Sequence, residues 1–378
     1  MNGVIIIDKP SGWTSHDVVA RMRRVLKQRS IGHLGTLDPL ATGVLPLVTG
    51  SFTRLAQFYT KAEKSYEGVI RFGFATDTYD ADGDTVGEVS TINPSLEKLQ
   101  AFAANFLGVI EQVPPPFSAK KINGVPAYKL ARKQKEFILE PVQVAVKEFI
   151  ITSVDADHAH FRARVSSGTY MRAIAHEMGR LLGCGGHLES LRRTAVAEFD
   201  ITQAHSIDEI EACSLSNKSA GSISTCHSER AGANATASRR IPMLVETADG
   251  GRVENGLDGS DEPQGLKPKS VSALDGTTER RALPDIIRCG GFYNAGSKGS
   301  LLAELFVHPR NLLPEVPCVT ADELTTARIR AGRPINLPEL SHARQVKVFQ
   351  GQSDLIAIAT RVAGTLFHPK IVFPAAQQ

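Results

Sequence analysis

Gly32-His33-Leu34-Gly35-Thr36-Leu37-Asp38-Pro39-Leu40-Ala41-Thr42-Gly43-Val44-Leu45-Pro46 sets a single carboxylate among glycines, prolines and small apolar residues. Pro39 disfavours the helical region for the residue before it, so Asp38 is expected in extended backbone. Gly35 and Gly43 permit positive φ or close approach on either side. Such a backbone presents one short side chain. Asp beside Gly and Pro is also a common turn former, so the local pattern alone leaves a structural and a catalytic Asp38 both open.

Working outward, Val4-Ile5-Ile6-Ile7 has the length of a buried strand and is too short for a signal sequence or a membrane span. Ser15 is placed to cap a helix with Val18, Val19, Met22, Val25 and Leu26 at helical spacing. Its other face carries Arg21, Arg24, Lys27 and Arg29, which suits either solvent or phosphate. Ser65 to Phe74 alternates as a strand bearing Tyr66. The run Asp77, Asp80, Asp82, Asp84 invites a calcium reading that fails: with Gly83 at the sixth loop place, Thr78 falls first and Val89 twelfth, where carboxylates are needed. A solvated hairpin is expected instead. Asn93-Pro94 is expected to open a helix burying Leu96, Leu99, Phe102 and Phe106.

From Ser118 to Phe137, Lys120, Lys121, Lys129, Arg132, Lys133 and Lys135 stand against Glu136 alone, with Tyr128 among them. A basic segment with an aromatic suits a phosphate backbone, although a merely soluble loop has the same composition. Val142 to Ile151 and Ala159 to Val165 read as paired strands, followed by a helix that Gly183 ends. Arg172 then falls in the first helical turn, where the macrodipole gains nothing from a cation. An ion pair with Asp38 would account for it.

After Cys213 the composition turns to Ser, Gly, Ala, Asn, Asp and Thr with no sustained apolar period, so 213–299 reads as a low-complexity, disordered insertion. Cys226-His227 there lacks a second ligand pair, and no metal is expected. Order is expected to return at Leu301 to His308. Thr320 and Glu323 form a capping-box pattern, and strands follow at Lys347 to Gln350, Leu355 to Thr360 and Ile371 to Phe373. Among 378 residues, 42% hydrophobic content suffices for a sizeable core, and a net charge of +3 does not by itself announce nucleic acid. Five scattered cysteines without a C-x-x-C pair read as reduced thiols of a cytoplasmic protein.

The opening stretch resembles the signature of the TruB family of tRNA pseudouridine synthases. So do Asp8-Lys9-Pro10-Ser11-Gly12-Trp13-Thr14-Ser15, Lys64-Ser65-Tyr66, Gly73-Phe74-Ala75-Thr76-Asp77-Thr78-Tyr79-Asp80, Gln112-Val113-Pro114-Pro115-Pro116-Phe117-Ser118-Ala119-Lys120 and Ser167-Gly168-Thr169-Tyr170-Met171-Arg172. The likeness covers the first 212 residues and resumes near Leu301. It implies an α/β (α+β) pseudouridine synthase fold with a central, mainly antiparallel mixed sheet. The catalytic domain would span 1–212 with a return at 300–315, a basic thumb would lie at 118–139, and 316–378 would be a small β-rich, PUA-like, RNA-contacting domain.

The resemblance makes Asp38 the catalytic nucleophile, Tyr66 the ring that stacks on the target base, and Arg172 the partner of Asp38. It places His33, Lys64, Tyr170 and Leu191 at the substrate, and Lys120, Lys121 and Arg132 on the RNA backbone. His33 and Tyr170 could equally be structural. Leu191-Arg192-Arg193-Thr194 is read as a helix end facing RNA, and His176, where many relatives carry an acidic residue, receives no role. The implied reaction is isomerisation of uridine 55 in the tRNA T loop by a monomeric, cytoplasmic enzyme without cofactor or membrane partner, the base being extruded from the stack. A guide-RNA-dependent ribosomal RNA enzyme and a non-catalytic RNA chaperone are the alternatives.

Overall fold

The computed structural model describes residues 1–118, 120–122, 124–133, 137–222 and 301–375, without the side chains of 121, 126, 128 and 217–222. Its centre is a ten-stranded sheet. In chain order the strands are β1 (Gly3–Lys9), β2 (Ile31–His33), β3 (Thr42–Thr49), β4 (Lys64–Phe72), β5 (Gly108–Gln112), β6 (Val142–Asp155), β7 (His158–Val165), β8 (Gly186–Val196), β9 (Phe199–Asp200) and β10 (Phe306–Val307). They lie in the order β10-β1-β3-β8-β4-β7-β6-β5, with β2 beside β3 and β9 beside β8. Within this sheet β3 and β8 pair in parallel, Arg192 opposite Thr42 and Arg193 opposite Gly43, and the other pairings are antiparallel. The expected mainly antiparallel mixed sheet is thus present.

The aliphatic run in β1 has a simple cause. Ile5 and Ile7 enter a core with Val18, Met22, Leu45 and Leu47, while Val4 and Ile6 enter a second core with Phe52, Leu55, Phe349 and Phe373. A strand covered on both faces reads as continuously apolar. The first core is closed by α1 (Ser15–Val25), α2 (Leu96–Ala104) and α3 (Met171–Leu182), through Val18, Leu99 and Met178 among others. The helix α4 (Ile207–Ser222) adds Ile207 and Ile210, and its Glu211 forms a two-pronged ion pair with Arg21. Arg21 therefore ties two helices together rather than facing phosphate.

After β10 the chain forms a separate five-stranded sheet from β11 (Cys318–Ala321), β12 (Ile335–Asn336), β13 (Gln345–Gln350), β14 (Asp354–Ala363) and β15 (Leu366–Val372). It packs on the main sheet's side through Phe373, whose ring lies 5.0 Å from that of Phe52, and Arg54 donates to the Val372 carbonyl at 2.8 Å.

Several local expectations are corrected. Thr14, not Ser15, caps α1: its hydroxyl accepts from the Asp17 amide, and the Asp17 carboxylate accepts from the Thr14 amide at 2.9 Å. Ser15 is instead buried and used elsewhere. Ser95 caps α2. Asp322, not Thr320, caps α5 (Glu323–Arg330), because pairing with β13 keeps Thr320 extended opposite Phe349. Leu188 to Thr194 is the interior of β8, not a helix end. Its alternation is disguised because a buried position is filled by Arg193. At Cys213 the helix α4 continues to Ser222, since helical propensity, unlike core formation, needs no apolar period. The remainder of the proposed insertion, including Cys226-His227, lies outside the described residues, and among those described no helix is long and apolar enough to cross a membrane.

Truncating Ile6 to Ala removes a fully buried side chain at the junction of the two sheets. It is expected to lower stability by about 2–5 kcal/mol, read as a shifted denaturant midpoint with unchanged slope.

Candidate active site

The Asp38 turn lies between β2 and β3, and buried groups from other parts of the chain hold its backbone. The Ser15 hydroxyl accepts from the Leu37 amide at 2.9 Å, and Lys9 Nζ donates to the Pro39 carbonyl at 3.2 Å as well as to Pro10 and Trp13. From β8, the Arg193 guanidinium donates to the carbonyls of Gly35, Thr36 and Val44 at 3.0, 3.3 and 2.8 Å. Gly43 has φ +97°, and a Cβ there would stand 2.2 Å from the Arg193 carbonyl oxygen. The glycine is needed for that approach. The sequence reading missed Lys9 and Arg193 because both are cations inside strands, positions where charge ordinarily signals solvent.

Asp38 is 41% exposed at its side chain, whereas Arg172, 2.9 Å away, is only 6% exposed. The expected ion pair is present across 134 residues of sequence, and the placement of Arg172 in the first turn of α3 is as anticipated. The guanidinium also faces Asp80 at 3.3 Å and donates to the carbonyls of Thr78 at 3.1 Å and Phe117 at 3.0 Å. These acceptors offset the cost of a cation at a helix N-terminus. The acidic hairpin reading is therefore corrected. Ala75–Thr76 and Thr85–Val86 do pair as a hairpin, but Asp80 is buried and belongs to the Arg172 cluster. Its other oxygen accepts from the Thr78 hydroxyl and the Asp82 amide.

Asp38, Arg172, Tyr66, His33, Lys64, Tyr170 and Leu191 all line one cavity of about 430 Å³, with Leu34, Gly35, Ser118 and Thr169 among the other walls. Asp38 is its sole carboxylate among the described residues. Gln112 fixes Tyr170: its amide oxygen accepts from the Tyr170 N–H at 2.8 Å and its NH₂ donates to the Tyr170 carbonyl at 3.0 Å. Burial raises the phenols of Tyr66 and Tyr170 above the usual range, with Arg193 opposing the rise at Tyr66. Burial lowers His33, helped by His16, whose ring lies 5.8 Å away edge to face. Lys9 and Lys64 are held down to about 8, chiefly by burial. Lys120 and Arg132 do not line the cavity, and the Lys121 side chain is outside the described set.

One open carboxylate, pinned by a buried guanidinium and flanked by a neutral phenol, can attack an electrophilic carbon or take up a proton without a metal. A cavity of this volume falls in the range of small-molecule sites, roughly 300–1,000 Å³.

Residues 23–171 match the N-terminal domain of the TruB family pseudouridylate synthases, and residues 172–225 match a C-terminal domain of tRNA pseudouridylate synthase B. The chain is 42% identical over 375 residues to tRNA pseudouridine synthase B of Solibacter usitatus, covering 98% of this chain and 100% of that one. It is 45% identical over 215 residues to tRNA pseudouridine synthase B of Opitutus terrae, covering 57% and 89%. Among solved structures, a Cbf5-Nop10-Gar1 complex has a chain with TM-score 0.58 at 20% identity, covering 96% of this chain and 79% of that one. An H/ACA RNP bound to a substrate RNA containing 2'-deoxyuridine gives 0.58 at 18%, covering 98% and 85%. At these identities the solved structures establish the fold alone.

Asp80→Asn leaves Arg172 with one full carboxylate partner, and is expected to lower stability by about 1.5–3 kcal/mol in denaturant titration. For Lys64 the depressed folded-state pKa makes its charged form unfavourable in the native state. That cost is fully present below about pH 8 and vanishes as pH rises towards 10.5, since the unfolded chain then holds the extra proton. Lys64→Met should therefore be most stabilising, relative to the unsubstituted chain, near roughly pH 7, with the advantage shrinking towards roughly pH 10 in parallel urea titrations.

Proposed function

This chain belongs to the TruB family of pseudouridine synthases and isomerises uridine to pseudouridine in tRNA; on that premise we propose that its target is uridine 55 of the T loop and that Asp38 carries the reaction. The observation behind this is the half-exposed Asp38 carboxylate held 2.9 Å from buried Arg172 in the lining of a cavity that also presents Tyr66. The N1 glycosidic bond breaks, the base turns, and C5 joins the sugar, with no change of oxidation state. Asp38 attacks the nucleotide or deprotonates the intermediate. Arg172 keeps the carboxylate oriented, and Tyr66 offers its ring to the base.

A uridine within folded RNA must leave its stack, at a cost of a few kcal/mol. Stacking on an aromatic recovers about 1–3 kcal/mol per base, and phosphate contacts supply the rest. Lys120 and Arg132 in the 118–139 thumb, together with the 316–378 domain, would provide those contacts to the T stem-loop. Tyr170, Leu191 and His33 then bound the nucleoside, which the shared cavity supports. The enzyme acts as a cytoplasmic monomer without guide RNA.

Asp38→Asn should keep affinity for a T-arm hairpin while reducing single-turnover pseudouridine formation by about 10⁴-fold or more, since catalytic carboxylates contribute on that scale. Because the isomerisation leaves mass unchanged, mass spectrometry of the bare hairpin after a derivatisation selective for pseudouridine, following incubation with the purified chain alone, reads both the site and independence from partners. Substantial conversion by the variant removes Asp38 from its role.

A further inference from the structure

Outside the cavity, Tyr79 and His176 stack face to face, with ring centroids 3.8 Å apart and planes at 12°. Both adjoin the groups that hold Arg172. Tyr79 follows Thr78, whose carbonyl accepts from Arg172 at 3.1 Å, and precedes Asp80, whose carboxylate stands 3.3 Å from the same guanidinium. His176 lies one helical turn beyond Arg172 on α3, so the two side chains share a face.

The backbone is shaped for this contact. Tyr79 adopts φ +67°, a left-handed conformation uncommon for a bulky residue and found where surroundings over-determine it. Its carbonyl accepts from the Leu188 amide at 3.0 Å and its amide donates to Thr76 at 3.3 Å, so the turn is anchored to β8 behind and to α3 in front. The His176 Nδ1 is buried with no hydrogen-bond partner. Burial lowers the pKa of this ring, with Glu177 opposing, and so disfavours its charged form. What the ring offers here is its flat face against Tyr79.

We infer that the Tyr79–His176 stack is a positioning clamp, which fastens the Thr78–Asp80 turn to α3 and so fixes the Arg172 guanidinium against Asp38. Neither residue touches the reacting atoms. The inference rests on the reading of Asp38 and Arg172 as the catalytic pair. Coulomb attraction alone would hold Asp80 near Arg172 but not at one angle. A planar stack on the same helix removes the remaining freedom of the turn.

The test uses the full chain and a T-arm hairpin, with single-turnover rate, RNA affinity and thermal midpoint measured together. Tyr79→Leu and His176→Leu keep bulk but lose the plane. Each should lower the rate about tenfold or more without weakening RNA binding, because a displacement near 1 Å in a catalytic site costs up to about a hundredfold. Tyr79→Phe and His176→Phe should hold the parental rate. Adding His176→Leu to Asp80→Asn should bring a smaller further loss than His176→Leu brings alone, since the clamp acts in part through Asp80, whereas a purely structural contribution would add in full. Parental rates in the leucine variants, a loss confined to RNA affinity, or full additivity with Asp80→Asn overturns the clamp. Absence of conversion by the unsubstituted chain overturns the reading beneath it.

Discussion

The interaction on which the site depends is a buried guanidinium shared between two carboxylates, one open and one closed to solvent. Arg172 faces half-exposed Asp38 on one side and buried Asp80 on the other. Removing a cation from water is costly unless it is well partnered, and here two carboxylates and two backbone carbonyls meet the two terminal nitrogens, while the buried Nε has no hydrogen-bond partner. The closed carboxylate and the carbonyls anchor the cation. The open carboxylate is left with free oxygen surface towards the cavity, which is what chemistry at that atom requires.

Around this pair the protein spends other buried cations on backbone rather than on substrate. Arg193 grips three carbonyls of the stretch from Gly35 to Val44, and Lys9 grips Pro39 from the opposite side. A loop rich in Gly and Pro has few side chains of its own with which to pack, so its geometry comes from hydrogen bonds donated by neighbouring strands. The parallel contact of β3 with β8 brings Arg193 beside Gly43 at the start of β3. Replacing either cation by a smaller polar group would leave several buried carbonyls without donors, a larger penalty than the loss of one surface ion pair.

The sheet is a rigid mount for parts drawn from distant segments. β4 supplies Tyr66, β8 supplies Leu191 and Arg193, and the loop after β7 leads into α3 with Tyr170 and Arg172. Because β1 is buried on both faces, the helical layer and the terminal sheet are packed against the same strand. Tyr66 illustrates the economy of this plan: it belongs to the main core and lines the cavity at once.

Local pattern was enough to place the elements that obey simple periodicity or backbone rules. The Asp38 turn between two glycines, the buried run at β1, the paired strands β6 and β7, and α3 ending at Gly183 were all legible, and the awkward place of a cation at a helix start, together with family likeness, pointed to the pairing of Asp38 with Arg172. Pattern misled at three other buried charges. Asp80 read as solvated, Arg193 as part of an RNA-facing helix end, and Lys9 was given no role beyond its place in a family-like motif, yet each is inside. The chain's own order thus determined which segments become strands, helices and turns, because those depend on neighbours a few residues away. Which charges could be taken out of water was decided only in three dimensions, since a buried ion is stable only beside partners, and those of Arg172 and Arg193 lie some fifty-five to a hundred and sixty residues distant in sequence.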